Sequence, residues 1–189
     1  MSEPKSYALV EQAEALIRRK QYEEAFPIAQ EAIRAGDNNP NAYFTFGVVL
    51  LHLGYLRESI VAFRKNLESE PRNSHAHNNI GTAHRRLGLL IEAGHHYRQA
   101  IHIQPDHAGA RVNLAGILCD LRQYAEAAEQ CRIAVNIDGT LAQAHHGLAE
   151  ALRGLGKVDE AITHYRKALE LAPEQAISRR RLAELAGKP

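Results

Sequence analysis

Apolar residues recur along this chain at intervals of three, four and seven positions, the spacing that places them on one face of a helix. The pattern also returns as a whole, because a Glu-Ala pair recurs every 34 residues. The pair stands at Glu24-Ala25, Glu92-Ala93, Glu126-Ala127 and Glu160-Ala161, and Glu58-Ser59 fills the gap. This register predicts a tail at 1–5, five repeats at 6–39, 40–73, 74–107, 108–141 and 142–175, and a closing segment at 176–189.

Small residues occupy three fixed positions of the repeat. The eighth position holds Ala13, Gly47, Gly81, Ala115 and Ala149. The twentieth holds Ala25, Ser59, Ala93, Ala127 and Ala161, and the twenty-seventh holds Ala32, Asn66, Ala100, Ala134 and Ala168. Small side chains at these points indicate two helices per repeat whose backbones approach closely, because a larger side chain would overpack the contact at a cost of about 1–3 kcal/mol.

Glycine and proline mark the predicted helix ends. A glycine between the two apolar segments of a repeat favours a left-handed residue that ends the first helix, as at Gly54, Gly88 and Gly156. A proline ends the second helix at Pro71, Pro105 and Pro173. The sequence therefore predicts helices at 6–19, 22–34, 40–53, 56–69, 74–87, 90–103, 108–121, 124–137, 142–155, 158–171 and 176–186.

The repeat resembles the tetratricopeptide repeat over residues 6–175. The resemblance rests on the three small positions, on proline at the thirty-second position, and on an aromatic residue at the twenty-fourth (Phe63, Tyr97 and Tyr165). It implies an all-α fold, a right-handed superhelical solenoid of antiparallel helix pairs that ends in a solvating capping helix. The sequence departs from the family pattern at Pro27, Asn66, Cys131 and Gly139.

Composition narrows the class of protein. The chain is 45% hydrophobic and 24% charged, with a net charge of +1, which fits a soluble protein and argues against a nucleic-acid binder. Two cysteines fit a reducing compartment, and the first residues lack the apolar segment of a signal peptide. No stretch approaches the ~20 apolar residues that cross a bilayer. We therefore expect a cytoplasmic protein without direct membrane insertion.

In the family that the repeat resembles, the first helix of each pair lines a concave surface through its second, fifth, sixth, ninth, twelfth and thirteenth positions. In this chain those positions predict an apolar part of the surface at Phe44, Val48 and Leu51. They predict a polar, mildly cationic part at His75, Asn78, Asn79, Thr82, Arg85, Arg86, Asn113, His146 and Arg153. The same residue types are also common on any solvated helical face, which is the simpler interpretation.

The favoured hypothesis is that this groove binds an extended peptide or a partner helix. A side-chain amide both donates and accepts hydrogen bonds, which matches a peptide backbone. Asn79 and Asn113 share the sixth position and resemble the asparagine ladder in the repeats of sugar-transferring enzymes that modify Ser and Thr. Arginines would pair with acidic side chains, and Phe44 would receive an apolar anchor. The expected partner is a protein or peptide with acidic and apolar residues.

Two other functions stay open. The first alternative is a self-assembling scaffold, as one magnetosome-coating member of the family is. The second is the substrate-targeting domain of a larger or separately encoded glycosyl- or sulfotransferase. The carboxylate clamp that grips chaperone tails is not expected, because no repeat has Lys at its fifth position. No phosphate loop or nucleophile elbow occurs, so we expect neither catalysis nor a cofactor.

Seven of the eleven histidines fall in the third repeat. His77 with His84, and His95 with His102, lie two helical turns apart, a spacing that a metal site could use. However, His77 and His84 occupy packing positions and no recognised zinc motif accompanies them, so we expect no metal and a possible response to pH near 6. Cys131 occupies a packing position and is expected to be inert, whereas Cys119 falls on a groove position.

Overall fold

The computed structural model describes residues 5–36 and 39–187, and this part of the chain is all-α. Its helices are α1 Lys5–Arg18, α2 Tyr22–Arg34, α3 Pro40–Leu53, α4 Leu56–Ser69, α5 Ser74–Arg86, α6 Leu90–Ile103, α7 Ala108–Asp120, α8 Tyr124–Ile137, α9 Ala142–Gly154, α10 Val158–Leu171 and α11 Ala176–Ala186. The predicted boundaries are confirmed to within one residue. Of the predicted tail, residues 1–4 lie outside the described residues, as do the last two residues of the closing segment.

The chain divides into two compact units, Met1–Ile103 and Gln104–Pro189. In the first unit, three helix pairs pack side by side, and the first helices α1, α3 and α5 are neighbours. In the second unit, α7 lies beside α9, each packs on its own second helix, and α11 packs on α10. The expected all-α arrangement of antiparallel helix pairs is present within each unit.

A left-handed residue follows the first helix of every pair. Gly54, Gly88 and Gly156 have φ angles of 90°, 80° and 75°, which glycine adopts without a steric penalty. The corresponding residues of the first and fourth repeats are Lys20 and Arg122, with φ angles of 61° and 59°. The fold thus requires the left-handed conformation even where the sequence supplies a side chain that disfavours it.

The small positions lie against aromatic rings. A Cβ atom added to Gly47 would lie 2.7 Å from the ring of Phe63, and one added to Gly81 would lie 2.7 Å from the ring of Tyr97. Both rings are fully buried between the helices of their pair. Close backbone approach, predicted from small side chains, is therefore found where these aromatic rings fill the space.

Two departures from the family pattern have a structural explanation. Asn66 is buried, and its amide nitrogen donates to the backbone carbonyl of Pro40 at 3.0 Å, while its amide oxygen accepts from Asn73 at 3.0 Å. Cys131 is fully buried, and burial raises the pKa of its thiol to about 12, which fits the inert role expected for it.

No helix in the described ranges combines the length and the apolar composition needed to span a membrane.

Candidate functional site

The apolar part of the predicted groove is mostly core. Leu51 is only 6% exposed and packs in a cluster with Ile60 and Phe63 of α4 and Ile80 of α5. The expectation that Leu51 lines an open surface is wrong, because α4 and α5 cover its side chain. The sequence positions of α3 alone do not reveal this coverage, since it depends on the crossing of the neighbouring helices.

Phe44 and Val48 lie at the edge of the same cluster. Both are half-buried and pack against it, and the ring of Phe44 lies 5.7 Å from that of Phe63 between centroids. Each therefore presents only part of its side chain to a ligand. The exposed apolar area of this region is therefore smaller than the sequence pattern predicts.

The polar residues predicted on α5 lie together on one face of that helix. They follow the helical spacing of three, four and seven residues, and we call them the α5 polar face: His75, Asn78, Asn79, Thr82, Arg85 and Arg86. His75, Arg85 and Arg86 are exposed, and the other three are half-buried. The structure thus brings six of the predicted site residues onto one surface of the first unit.

Thr82 and Arg86 have structural roles within this face. The Thr82 hydroxyl donates to the backbone carbonyl of Asn78 at 3.1 Å and accepts from the Tyr97 hydroxyl at 3.3 Å. The Arg86 guanidinium donates to the backbone carbonyl of Leu51 in the last turn of α3, which also accepts from the backbone N–H of Gly54 at 3.3 Å. Burial, followed by the charge of Arg86, lowers the pKa of His52.

Asn79 differs from these two residues. Within the ranges that the structure describes, its half-buried side-chain amide has no hydrogen-bond partner. The corresponding residue of α3, Thr45, is 1% exposed and unreachable from solvent. Asn79 is therefore the residue on this face whose amide donors and acceptor are available to a ligand.

In the second unit, Asn113 is half-buried on α7, but His146 and Arg153 belong to the attachment of α11. The Nδ1 atom of His146 lies 2.8 Å from the hydroxyl of Ser178, and burial lowers the pKa of this imidazole. Arg153 donates to Glu150 at 2.8 Å. The structure thus gives these two residues an internal role that the sequence analysis did not predict.

Glu150 is the centre of this attachment. It accepts hydrogen bonds from the Tyr165 hydroxyl, from Arg153, and from Arg181 of α11 at 3.1 Å. Burial opposes ionisation of Glu150, but the hydrogen bonds from Tyr165 and Arg153 hold its pKa below the usual value. The spacing of Glu150 and Arg153, one helical turn apart, predicts an ion pair within α9. It does not predict that Glu150 also binds Arg181 of α11.

Four of the seven histidines of the third repeat, His77, His84, His95 and His96, form a cluster between α5 and α6. The Nδ1 atoms of His77 and His96 lie 3.1 Å apart, and the buried ring of His84 meets His96 edge-on at 5.3 Å between centroids. Burial, together with the nearby His77, His84, His95 and Arg64, lowers the pKa of His96 to about 4. In residues 5–36 and 39–187, no three His, Cys, Asp or Glu side chains are placed to hold a metal ion.

The sequence was compared with models of known protein families, and the matches agree with the helix pairs seen in the structure. Two family models described as tetratricopeptide repeat match the sequence. One matches residues 142–175, and the other matches residues 44–108 and 92–142. No curated protein matches the sequence significantly.

Solved structures resemble the whole chain. A thermophilic TPR protein of Thermus thermophilus is 21% identical, with a TM-score of 0.77, over 96% of this chain and 98% of that one. MamA from Desulfovibrio magneticus is 22% identical, with a TM-score of 0.73, over 93% and 99%. YrrB, described as a TPR protein with an unusual peptide-binding site, is 18% identical, with a TM-score of 0.67, over 92% and 89%. At these identities the likeness establishes the fold.

Proposed function

Because the chain belongs to the tetratricopeptide repeat family, whose fold serves in general as a protein-interaction module, we propose that it binds an extended peptide or a partner helix on the α5 polar face. The chain then acts as an adaptor or scaffold. Its role is recognition rather than catalysis.

The observation that carries the proposal is the amide of Asn79. A half-buried amide without an internal partner is costly unless water or a ligand satisfies it. The amide can donate to one peptide carbonyl and accept from one peptide N–H, which makes it indifferent to the ligand's side chains.

Charge supplies the selectivity. The exposed guanidinium of Arg85 and the imidazole of His75 flank Asn79 along the same face of α5. A planar guanidinium pairs with a carboxylate through two parallel hydrogen bonds. The preferred ligand is therefore a peptide with an acidic residue within one helical turn of the segment that contacts Asn79.

Solved structures lend support of a general kind. YrrB, which shares the fold, is described as having an unusual peptide-binding site. A peptide ligand is thus compatible with a repeat array of this size. The proposal for this chain depends on its own α5 residues.

Quantitative pull-down from the native lysate tests the proposal, with the intact protein compared with Asn79→Ala/Arg85→Ala. The matched control is Asn136→Ala/Arg166→Ala, which makes the same two changes at exposed residues of α8 and α10. We expect capture of specific partners to fall about tenfold with the first variant and to be unchanged with the control. Identical partner lists for all three proteins would contradict the proposal.

A further inference from the structure

The exposed side of α4, in the first unit, contains an apolar hollow. Its volume is about 470 Å³, and it is lined by four aromatic rings together with Val61 and Ala62 of α4. The rings are those of Phe26, Tyr43, Phe46 and Tyr55. A hollow of this size holds one or two large side chains or a small organic ligand.

One residue explains why the hollow exists. Ala62 occupies the twenty-third position of its repeat, where the next three repeats have His96, Gln130 and His164. Each of those longer side chains contacts the fourth residue of its own repeat, as Gln130 does when it accepts from Arg111 at 2.7 Å. Ala62 cannot reach Tyr43 in this way, so the space between α3 and α4 stays open.

A second hollow, of about 400 Å³, lies on the other side of Val61. It is lined by Arg57 and Arg64 of α4, the buried His84, and the apolar side chains of Leu87 and Leu89. In the described part of the chain, neither Arg57 nor Arg64 makes an ion pair. The two arginines lie seven residues apart and so on the same side of α4.

The two hollows form one continuous surface, which we call the α4 surface. Val61 belongs to both hollows and is 60% exposed, Tyr55 is 53% exposed, and Leu89 is 43% exposed. Large apolar side chains grouped in this way mark interaction sites on soluble proteins more often than scattered ones do.

Charge selects the kind of partner. Lys65, at the edge of the aromatic hollow, is already paired with Glu68 at 3.0 Å. Among the residues that the structure describes, the charged side chains that line the two hollows without an ion pair are Arg57, Arg64 and Glu58. The surplus is positive, and guanidinium groups recognise carboxylates with defined geometry.

From these observations we propose that the α4 surface is a second interaction site, which binds an acidic amphipathic peptide segment. An aromatic or leucine side chain of the partner fills the hollow beside Ala62. Carboxylates one or two helical turns away pair with Arg57 and Arg64.

The proposal is independent of the α5 polar face. On α3, the hollow is lined by Tyr43, Phe46 and Leu50, whereas Phe44 and Val48 belong to the predicted groove. Helical geometry places these two sets on different faces of α3. One site can therefore be removed while the other is kept.

A phage-displayed library of random dodecapeptides, selected on the intact protein, provides the probe. We expect enriched sequences that combine an aromatic residue or leucine with at least two acidic residues. Their affinity, measured by fluorescence anisotropy, should fall about tenfold for Ala62→His and for Arg57→Glu/Arg64→Glu. Asn79→Ala/Arg85→Ala should bind these peptides like the unaltered protein.

Ala62→His copies the residue type that two other repeats carry at this position, so the fold should accept it, and Val61→Asp provides a second variant at an exposed position. A circular dichroism melt confirms that each variant is folded. The proposal is overturned if no peptide is enriched, if the enriched peptides lack acidic residues, or if they bind all variants equally. It is also overturned if light scattering shows a dimer of the unaltered chain that Val61→Asp dissociates, because a second copy would then cover this surface.

Discussion

The Nδ1 atom of His77 lies 3.1 Å from the Nδ1 atom of His96, and this contact joins the two helices of the third repeat. The fifth repeat contains the same contact at the same distance, between His145 and His164. Both pairs occupy the fourth and twenty-third positions of their repeats. In the third, fourth and fifth repeats these positions therefore form a polar link within the helix pair, which the fourth repeat makes with Arg111 and Gln130.

The first prediction concerns pH. Protonation of His96 is opposed by its burial and by the groups that face it, namely His77 and His84 on α5, His95 on α6 and Arg64 on α4. Its pKa is about 4 in the folded protein, against an ordinary value of 6.5, so the unfolded chain binds more protons between these values. The free energy of unfolding should therefore fall as the pH drops below about 6.5, and the loss from this residue should be about 1–2 kcal/mol at pH ~5.

Urea unfolding at about pH 7.5 and pH 5 measures this loss. The variant His77→Arg/His96→Gln installs the pair that Arg111 and Gln130 form in the fourth repeat, without a titrating group at either position. This variant should lose less of its free energy of unfolding between the two pH values than the unaltered protein does. Replacing the exposed His102 with Gln should leave the difference unchanged, and an equal loss in all three proteins would refute the prediction.

The second prediction concerns the left-handed residues. Arg122 has a φ angle of 59°. This left-handed conformation costs a residue with a side chain about 1–2 kcal/mol of steric energy relative to glycine. Part of that difference is offset because glycine loses more backbone entropy on folding. Arg122→Gly should stabilise the protein by about 0.5–1 kcal/mol, and Gly88→Ala should destabilise it by a similar amount. A Cβ atom added to Gly88 meets no atom within 4 Å, so this substitution tests the backbone alone.

Thermal and urea unfolding measure both changes. Arg122→Ala is the control, because it removes the long side chain and keeps the steric cost of Cβ. It should match the unaltered protein to within about 0.5 kcal/mol. If Arg122→Ala stabilised the protein as much as Arg122→Gly does, the effect would come from the side chain and not from the backbone.

The helix boundaries could be predicted from sequence because the residues that set them act locally. Gly54 and Gly88 end helices through their own backbone conformation, and the acidic residue in the first turn of each second helix interacts with N–H groups close to it in the chain. A fixed period of 34 residues then repeats the same local solution. These signals need no knowledge of which helices are neighbours.

The candidate site was harder to predict because its exposure depends on other parts of the chain. Leu51 has the sequence position of a groove residue, yet α4 and α5 bury it. His146 also has the sequence position of a groove residue, yet its Nδ1 atom is hydrogen-bonded to the hydroxyl of Ser178, which lies 32 residues later in the chain. The hollow beside Ala62 could not be predicted for a related reason. A small residue in this repeat usually indicates close helix packing. Whether it instead leaves an open space depends on the side chain that faces it from the other helix.

The third prediction concerns Asn66, which stands where the four other repeats have alanine. Substitution with alanine would restore the usual residue of the repeat. It would also remove the hydrogen bonds that the Asn66 amide donates to the Pro40 carbonyl and accepts from Asn73. We therefore expect Asn66→Ala to lower the free energy of unfolding by about 1–3 kcal/mol.

A double-mutant cycle with Asn73→Ser shows whether Asn66→Ala destabilises the protein through the lost hydrogen bond between the two amides or only through the smaller volume of alanine. The serine keeps a side-chain oxygen at the start of α5, where Asn73 accepts from the backbone N–H of Ala76, but it cannot reach Asn66. The double variant should lose less free energy of unfolding than the two single variants lose in sum. Additive costs would mean that the two amides do not act as a unit.

The fourth prediction concerns the attachment of α11. Arg181 donates to Glu150 of α9 at 3.1 Å, whereas among the described residues the neighbouring Arg180 pairs only with Glu184 of its own helix. Arg181→Met keeps the aliphatic stem and removes the charged link between the helices. Since the pair is partly exposed, the loss should be about 1 kcal/mol, which corresponds to roughly fivefold faster amide exchange in α11.

Arg180→Met is the matched control, because it makes the same change one residue away, at a side chain that is 79% exposed. Hydrogen exchange in α11 should then stay close to that of the unaltered protein. The pKa of Glu150 is lowered, so its contribution is present above its ordinary value of 4.5 and is lost as the pH falls through its folded pKa. The difference between the two variants should therefore vanish in acid, and a difference that persisted there would show that the ion pair between Arg181 and Glu150 does not account for it.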